Sequence, residues 1–391
     1  MVAYTFYEED NRVRRYAETL AQRGDRVDVI ALRRQGRLQR DVMNGVNVYR
    51  LQRRTVNEKG KFTYLVKLFL FFVRSMFFLT REHLRNRYDV IHVHSVPDFE
   101  VFAALIPKLL GAKIILDIHD IVPEFYVSKF NSSQDSITFR LLVHIERLSI
   151  AFSDHVIAAN DIWKDRLVQR SVKAGKCTTM LNFPDTSLFH RQGRHRSDDK
   201  FIILYPGTLN YHQGIDIAVR AFSRIRQKAP QAEFHIFGEG DQQVILKSLI
   251  AELGLQDKVF LKGSIPIEDI GSVIENADLG VVPKRKNNFG DEAFSTKIFE
   301  FMVLGVPIIV PNTTIDRFYF NDSVVKFFSA NDEENLADAI LLLINDSDLR
   351  QTLVNNANEF VKKYTWNENK QGYLDLVDSL ANSSRGKSHI S

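Results

Sequence analysis

The chain has 391 residues, 45% of them hydrophobic and 26% charged, with a formal net charge of +4, enough for two or three ordinary globular domains. Its single cysteine, Cys177, excludes a disulfide framework and a cysteine-rich metal centre and fits a reducing compartment. The first ten residues hold Glu8, Glu9 and Asp10 and no basic stretch ahead of an apolar run, so no signal peptide is expected and the predicted location is cytoplasmic.

In chain order, short apolar runs at 27–32, 46–51, 90–93, 113–116 and 155–159 read as strands, with helical patterns at 12–22, 99–110 and 136–151. Such alternation predicts an α/β domain with a parallel sheet covered by helices. Between 50 and 87 lie ten Lys or Arg against two acids, Glu58 and Glu82, and inside that basic region 62–79 is about as long as a membrane span. Lys67 and Arg74 interrupt it, seven apart on nearly one helix face, and a charge at a bilayer centre costs several kcal/mol, which argues against spanning. Two readings stay open. One is peripheral contact of 62–80 with an anionic membrane, at the inner face of the plasma membrane. The other is a helix buried against the sheet with its basic face in solvent. Apolar-aromatic residues at helical spacing do not make a phosphate-tracking stripe, so no nucleic acid partner is expected.

Asn182-Phe-Pro-Asp185 closes the first domain, predicted over 1–188, and the Arg- and Asp-dense stretch 189–200 reads as a linker. The strand pattern restarts at 201–205 and recurs at 232–237, 259–261, 279–282, 307–310 and 324–328, giving a second domain over 201–365. Helices are predicted at 333–345, 348–363 and 368–380, with 366–381 as a terminal helix and 382–391 as a disordered tail.

The most informative segment is Glu292-Ala-Phe-Ser-Thr-Lys-Ile-Phe-Glu300, two carboxylates separated by seven residues and followed by Gly305-Val-Pro307. The spacing predicts a helix over 296–304 with Ser295 as its N-cap and Gly305 as its stop. A helix N-terminus carries unpaired N–H groups and partial positive charge that can hold a phosphate, while flanking carboxylates can bind hydroxyls. On this strand-loop-helix the chain resembles the retaining nucleotide-sugar glycosyltransferases of glycosyltransferase family 4, more clearly over 200–375 than in the first half. The resemblance implies a GT-B fold, two Rossmann-like domains facing a cleft, with no bound metal. It also implies that Glu292 orients the donor sugar and Glu300 binds the ribose, beside Ser295 and Thr296 at the helix start.

Ligands of open parallel sheets bind beyond the carboxyl ends of strands. After the strand at 113–116 comes Asp117-Ile-His119-Asp120, where the resemblance implies that His119 lines the reacting end of the donor sugar, with Asp120 beside it assigned to the acceptor side; a structural hydrogen bond is the alternative. His92 and His94, at i and i+2, share a strand face and permit a metal, but no third ligand is evident, leaving His94 as an acceptor-side or structural residue. Tyr205-Pro-Gly207-Thr208 through Gln213-Gly214 is a strand, glycine loop and helix, an arrangement that brings N–H groups to a diphosphate. Relatives carry an Arg and a Lys in this loop; here Thr208 and Gln213 stand in their places. A departing diphosphate gains charge and needs cations. Lys297 and Lys284 are the expected replacements, with Arg285 as a further choice. Gly238 and Gly240 are expected to shape the nucleotide wall. Where relatives have a glycine-rich first loop, this chain has Asp10, Arg12, Arg14 and Arg15; Asp10 and Arg12 are assigned to the acceptor side, the arginines either holding an acceptor phosphate or facing solvent.

The expected activity is retaining transfer of a sugar from a nucleotide diphosphate-sugar donor to a hydroxyl acceptor, a lipid-linked saccharide in polysaccharide or surface-glycan assembly. Glu292, His119 and Lys297 are the expected catalytic residues, and no cofactor is called for. The alternatives are a nucleotide-sugar epimerase or sugar-phosphate-accepting synthase on the same fold, and a non-catalytic partner that binds nucleotide sugar or glycan.

Overall fold

A computed structural model describes residues 1–54, 61–130, 132–186, 188–287 and 289–385. The chain divides into two compact units, Met1–Asn182 with Lys370–Ser391, and Phe183–Asn369.

The first unit is built on an eight-stranded sheet: β1 (Val2–Ala3), β2 (Asp28–Arg33), β3 (Arg40–Met43), β4 (Val46–Arg53), β5 (Val90–His94), β6 (Lys113–Ile118), β7 (His155–Ala158) and β8 (Cys177–Thr179). Their order is β3-β4-β2-β1-β5-β6-β7-β8, parallel throughout except for the antiparallel β3–β4 pair. Neither β3 nor the short β1 and β8 has an apolar run long enough to be read from sequence. The β3–β4 hairpin nevertheless has a local signal in Asn44-Gly45, both at positive φ as a tight two-residue turn requires.

The second unit has six parallel strands, β9 (Phe201–Pro206), β10 (Ala232–Phe237), β11 (Val259–Leu261), β12 (Leu279–Val281), β13 (Ile308–Pro311) and β14 (Lys326–Phe328), in the order β11-β10-β9-β12-β13-β14. β9 is buried along its whole length, as expected of a parallel strand covered on both faces. The helix Ile215–Ile225 buries Ile215, Val219, Phe222 and Ile225 against this sheet, in one core with Phe234, Ile236 and Val281. In both sheets the strand order reverses beside the first strand, at β1/β5 and at β9/β12, the two crevices where parallel sheets bind ligands.

The predicted helix at 99–110 is two pieces, a 3-10 helix Asp98–Ala104 and a short α-helix Leu105–Leu109. Pro107 sits in the first turn of the second piece, where a missing N–H breaks no helical bond, so it favours a fresh start there over a continuous helix. The predicted tail is also corrected: the helix Trp366–Arg385 runs past Asn382, and the Ser384 hydroxyl donates to the Gly111 carbonyl at 2.8 Å. Residues 386–391 lie outside the described residues.

The helix Lys61–Arg85 turns Leu68, Phe71, Ser75 and Leu79 inward, with Tyr4 packed edge-on to Phe71 at 5.2 Å. Its outer face is apolar as well as basic: Leu65, Val66, Phe69, Leu70 and Phe77 are exposed, along with Arg74, Arg81 and Arg85. Arg74 stays exposed while its Nη1 donates to the Gln52 amide oxygen of β4, and the Gln52 amide donates to the Lys67 carbonyl, each at 2.9 Å.

Candidate functional site

In the second unit the loops after β9, β10 and β12 meet at the β9/β12 switch point. They approach so closely that a Cβ on Gly238 would lie 1.8 Å from the Gly207 carbonyl oxygen, and one on Gly214 would lie 2.1 Å from the Pro283 carbonyl oxygen. Both positions require glycine, because the backbones themselves are in contact. Against Gly207 lies the end of Lys297, whose Cε would be 2.2 Å from an added Cβ and whose Nζ is 5.5 Å from the centre of the Tyr205 ring.

Lys297 begins the helix Lys297–Leu304, and Glu300 stands on its first turn. Burial lowers the Lys297 pKa against the opposing pull of Glu300. Burial likewise raises that of Glu300, with Lys297 and the Thr296 hydroxyl pulling it down. The helix starts at Lys297 with Thr296 as N-cap and no side-chain cap bond, so Ser295 is not the cap. Its Oγ is buried without a hydrogen-bond partner. Thr296 keeps a helical backbone, φ −61° and ψ −28°, leaving Ser295 one residue too early to reach the free N–H groups.

Lys284 is corrected as a diphosphate cation. Its Nζ is buried, donating to the Ala293 carbonyl at 2.6 Å and pairing with Asp316 at 3.0 Å. Arg285 is also committed: its guanidinium covers the Tyr211 ring at 4.2 Å and pairs with Asp216 at 2.5 Å. Lys297 alone of the three makes no ion pair or hydrogen bond with a described residue.

Thr208 is exposed and its carbonyl accepts from the Tyr205 hydroxyl at 2.9 Å; the Gln213 amide oxygen accepts from the same hydroxyl at 3.2 Å. Tyr205, which sequence reasoning passed over, therefore links the two replaced positions to Gly207 and Lys297. Its only signal was an aromatic hydroxyl at the carboxyl end of an otherwise aliphatic strand. Glu292 is half-buried in the loop that Lys284 holds, one residue before Ala293.

In the first unit the fold gathers Arg12, His94 and His119 around one carboxylate, Asp117, which the sequence placed at a strand end without a role. Arg12 donates through Nε and Nη2 to its two oxygens at 2.8 and 2.7 Å, and through Nη1 to the Met180 carbonyl at 2.8 Å. Arg12 is buried and so is neither a solvent-facing residue nor free to hold an acceptor phosphate. Arg14 pairs with Glu18, and Arg15 donates to Asn182. Asp10 caps the helix Asn11–Arg23 by accepting from the Val13 N–H.

His119 Nε2 and His94 Nδ1 lie 3.0 and 3.1 Å from Asp117 Oδ2. Burial alone would push the Asp117 carboxyl up, but Arg12 and His119 outweigh it and hold it well below the usual range. Burial pushes His94 down to about 4 against the pull of Asp117, and holds His92 well below its ordinary value. Asp120 is half-buried, its pKa raised by burial against His119. His94, being sealed in, is not an acceptor contact; His119 retains 22% side-chain exposure.

His92, His94 and Asp117 offer ligand atoms within 4.8 Å of one another, so the fold supplies the third group that the sequence did not show. Arg12 already covers both Asp117 oxygens, and a cation there would face a buried guanidinium. His92 Nδ1 is bonded to the Tyr373 hydroxyl at 3.0 Å.

Two family models match the chain, a glycosyl transferase 4-like domain over residues 10–182 and glycosyl transferases group 1 over 187–360. The chain is 23% identical to the phosphatidylinositol N-acetylglucosaminyltransferase gpi3 subunit of Schizosaccharomyces pombe, over 97% of this chain and 80% of that protein. Among solved structures, sucrose-phosphate synthase from Thermosynechococcus elongatus superposes with a TM-score of 0.79 at 20% identity, covering 97% of this chain and 98% of that one. Anabaena HepE, in complex with UDP-glucose, gives a TM-score of 0.69 at 16% identity, covering 100% and 98%. With a doubly wound unit on each side of residue 183 and a family model on each, the chain belongs to the group 1 glycosyltransferases of family 4 and has the GT-B fold.

Proposed function

We propose that this glycosyltransferase takes a sugar from a nucleotide diphosphate-sugar and transfers it, with retention, to a hydroxyl of a lipid-linked saccharide. The observation that carries the reading is the meeting of Gly207, Lys297 and Glu300 at the β9/β12 switch point. A half-buried ammonium beside a glycine loop suits a diphosphate, and a carboxylate one helical turn on suits ribose hydroxyls.

In this reading Lys297 and the N–H groups at its helix start stabilise the charge that the departing diphosphate gains, so Lys297 replaces the cationic pair absent at Thr208 and Gln213. Glu292 orients the donor sugar. His119 in the first unit accepts a hydrogen bond from a substrate hydroxyl, and Asp120 lies beside it. The reaction needs no metal, so a chelator leaves the rate unchanged. HepE binding UDP-glucose supports a nucleotide-sugar donor.

The lipid-linked acceptor rests on the helix Lys61–Arg85. By length and composition its stretch Thr63–Arg85 is apolar enough to cross a membrane, yet it packs on the sheet through Leu68, Phe71 and Leu79 and turns other aromatic and aliphatic residues outward. That suits a helix lying on the cytoplasmic face of a membrane, with Arg81 and Arg85 near its end meeting anionic headgroups. The phosphatidylinositol in the name of the fission-yeast relative supports a lipid acceptor.

Calorimetry with UDP-, GDP-, ADP- and dTDP-sugars on the wild type and on Glu300→Ala tests the donor site. Selective binding that the substitution weakens tenfold or more is expected. No binding to the wild type would sink the reading. Once a donor is found, the anomeric configuration of the product, read by NMR, tests retention.

A further inference from the structure

The Asp117 carboxylate has more neighbours than a buried ion pair needs. Arg12 closes a two-pronged pair on it, and the remaining capacity of Oδ2 is shared by His94 Nδ1 and His119 Nε2, which are themselves 3.1 Å apart. A carboxylate can only accept, so a ring nitrogen 3.0 Å from it is stable only when it carries a proton. Three proton arrangements of the neutral rings bridge this cluster. In one, both His94 Nδ1 and His119 Nε2 donate to Asp117. In the second, His119 Nε2–H is shared with a bare His94 Nδ1; in the third, His94 Nδ1–H is shared with a bare His119 Nε2. The second sets a His94 lone pair against the carboxylate at 3.1 Å and leaves His94 Nε2–H buried with no acceptor. The first leaves there only an unfilled acceptor, which folded proteins tolerate better than an orphaned donor. The third sets a His119 lone pair against the carboxylate at 3.0 Å, so the arrangement in which no lone pair faces Asp117 has His119 protonated at Nε2.

We propose that Asp117 is a positioning residue that holds His119 as the Nε2–H tautomer, so that its Nδ1 meets the substrate as a bare hydrogen-bond acceptor. Nδ1 has no partner among the described residues and is not one of the buried orphan atoms, so it is open to solvent. A nitrogen of this kind takes an O–H, as a sugar hydroxyl offers, and repels a phosphate oxygen or carbonyl. Arg12 serves the same end from behind: by keeping Asp117 ionised and both its oxygens oriented, it denies His119 the other tautomer. The carboxylate-imidazole pairing is the one by which proteins commonly fix a ring's orientation and tautomer. The groups facing the pair are Arg12, His92, His94 and, through its ring, Tyr16, 5.9 Å from the His94 ring; Asp120 follows His119 in the chain.

The inference rests on His119 being a substrate-lining residue, but its test is made on the free enzyme and does not depend on any donor being found. Long-range nitrogen-proton correlation NMR on histidine-labelled full-length protein, with His119→Gln to assign the ring, reads both nitrogens. In the neutral ring a protonated Nε2 and a bare Nδ1 are expected; a neutral ring protonated at Nδ1 would overturn the proposal. In Asp117→Asn the buried Arg12 claims the one amide oxygen and turns the NH₂ toward the imidazoles, so His119 is expected to invert to the Nδ1–H form. Retention of Nε2–H in a folded Asp117→Asn protein would remove the positioning role. If that variant does not fold, the wild-type tautomer decides alone.

Discussion

Lys284 Nζ pairs with Asp316 Oδ2 at 3.0 Å and holds the Ala293 carbonyl at 2.6 Å, so a buried ion pair fixes the loop that carries Glu292. Asp316 in turn accepts from the Thr313 hydroxyl at 2.5 Å, which ties the loop to the helix Thr314–Tyr319. The cation that sequence assigned to substrate is spent on keeping the site in shape.

Removing one partner of such a pair leaves the other charged and buried, at a cost of about 3 to 5 kcal/mol. Lys284→Met is therefore expected to lower the thermal midpoint markedly. Lys284→Met with Asp316→Leu recovers much of the loss, because no charge is then stranded. A single variant as stable as the wild type would mean that Asp316 is held neutral and that the pair contributes little.

How far the sequence reached depended on the range of each interaction. The β9–Gly207 turn, the Glu292 to Glu300 spacing and the stop at Gly305 are local, and all were legible. The commitments of Arg12 and Lys284 were not. Arg12 is bound to Asp117, 105 residues away, and Lys284 to Asp316, 32 residues on, so nothing near either residue shows that its charge is already taken. Asp117 was read past for the same reason: at a strand end it resembles its neighbours, and only the return of the first helix and β5 to the same point makes it a centre. The apolar character of the 61–85 helix was visible as composition, but which apolar stripe turns inward is decided by the surface that Leu68, Phe71 and Leu79 meet, and nothing local in the sequence marks it.

Donor binding should depend on pH through Lys297. Its folded pKa is lowered by burial, so its charge is lost as pH rises at values where an exposed lysine would still be protonated. Affinity for a nucleoside diphosphate is expected to be highest near neutrality and to fall toward alkaline pH. Lys297→Arg should abolish that fall, since a guanidinium stays charged. Lys297→Ala should cost tenfold or more at neutral pH, about 1.4 kcal/mol or above. Titration calorimetry from neutral to alkaline pH checks this, and an identical pH profile in Lys297→Arg would move the role to another group.

His94 predicts acid sensitivity of the first unit. Its pKa falls from 6.5 to about 4 on folding, so below 6.5 the unfolded chain binds a proton that the native protein refuses. Stability is full above that value and is lost as pH falls through the folded pKa, by about 3 kcal/mol across the window. Ionised Asp117 contributes a loss of the same sign at lower pH. Urea unfolding followed from pH 7 to 4 should show the decline, and His94→Gln should lessen it over that range, the remainder coming from His92, which burial also holds well below its ordinary value. An unchanged slope in the variant would place the acid sensitivity elsewhere.

The outward face of the 61–85 helix separates membrane contact from simple surface exposure. Leu65, Phe69 and Phe77 are 60%, 61% and 69% exposed, so replacing all three with serine removes little from the core and leaves the fold intact. Each large apolar side chain that leaves water is worth about 1.5 to 3 kcal/mol, so the triple variant should bind vesicles at least about a hundredfold more weakly. Flotation with vesicles of phosphatidylcholine and phosphatidylglycerol measures it, at low and high salt. A protein anchored by apolar insertion keeps part of its binding in salt, whereas one held only by Arg81, Arg85 and their neighbours loses all of it. Equal flotation of wild type and variant would show that this face does not enter the membrane, and the lipid-linked acceptor would lose its main support.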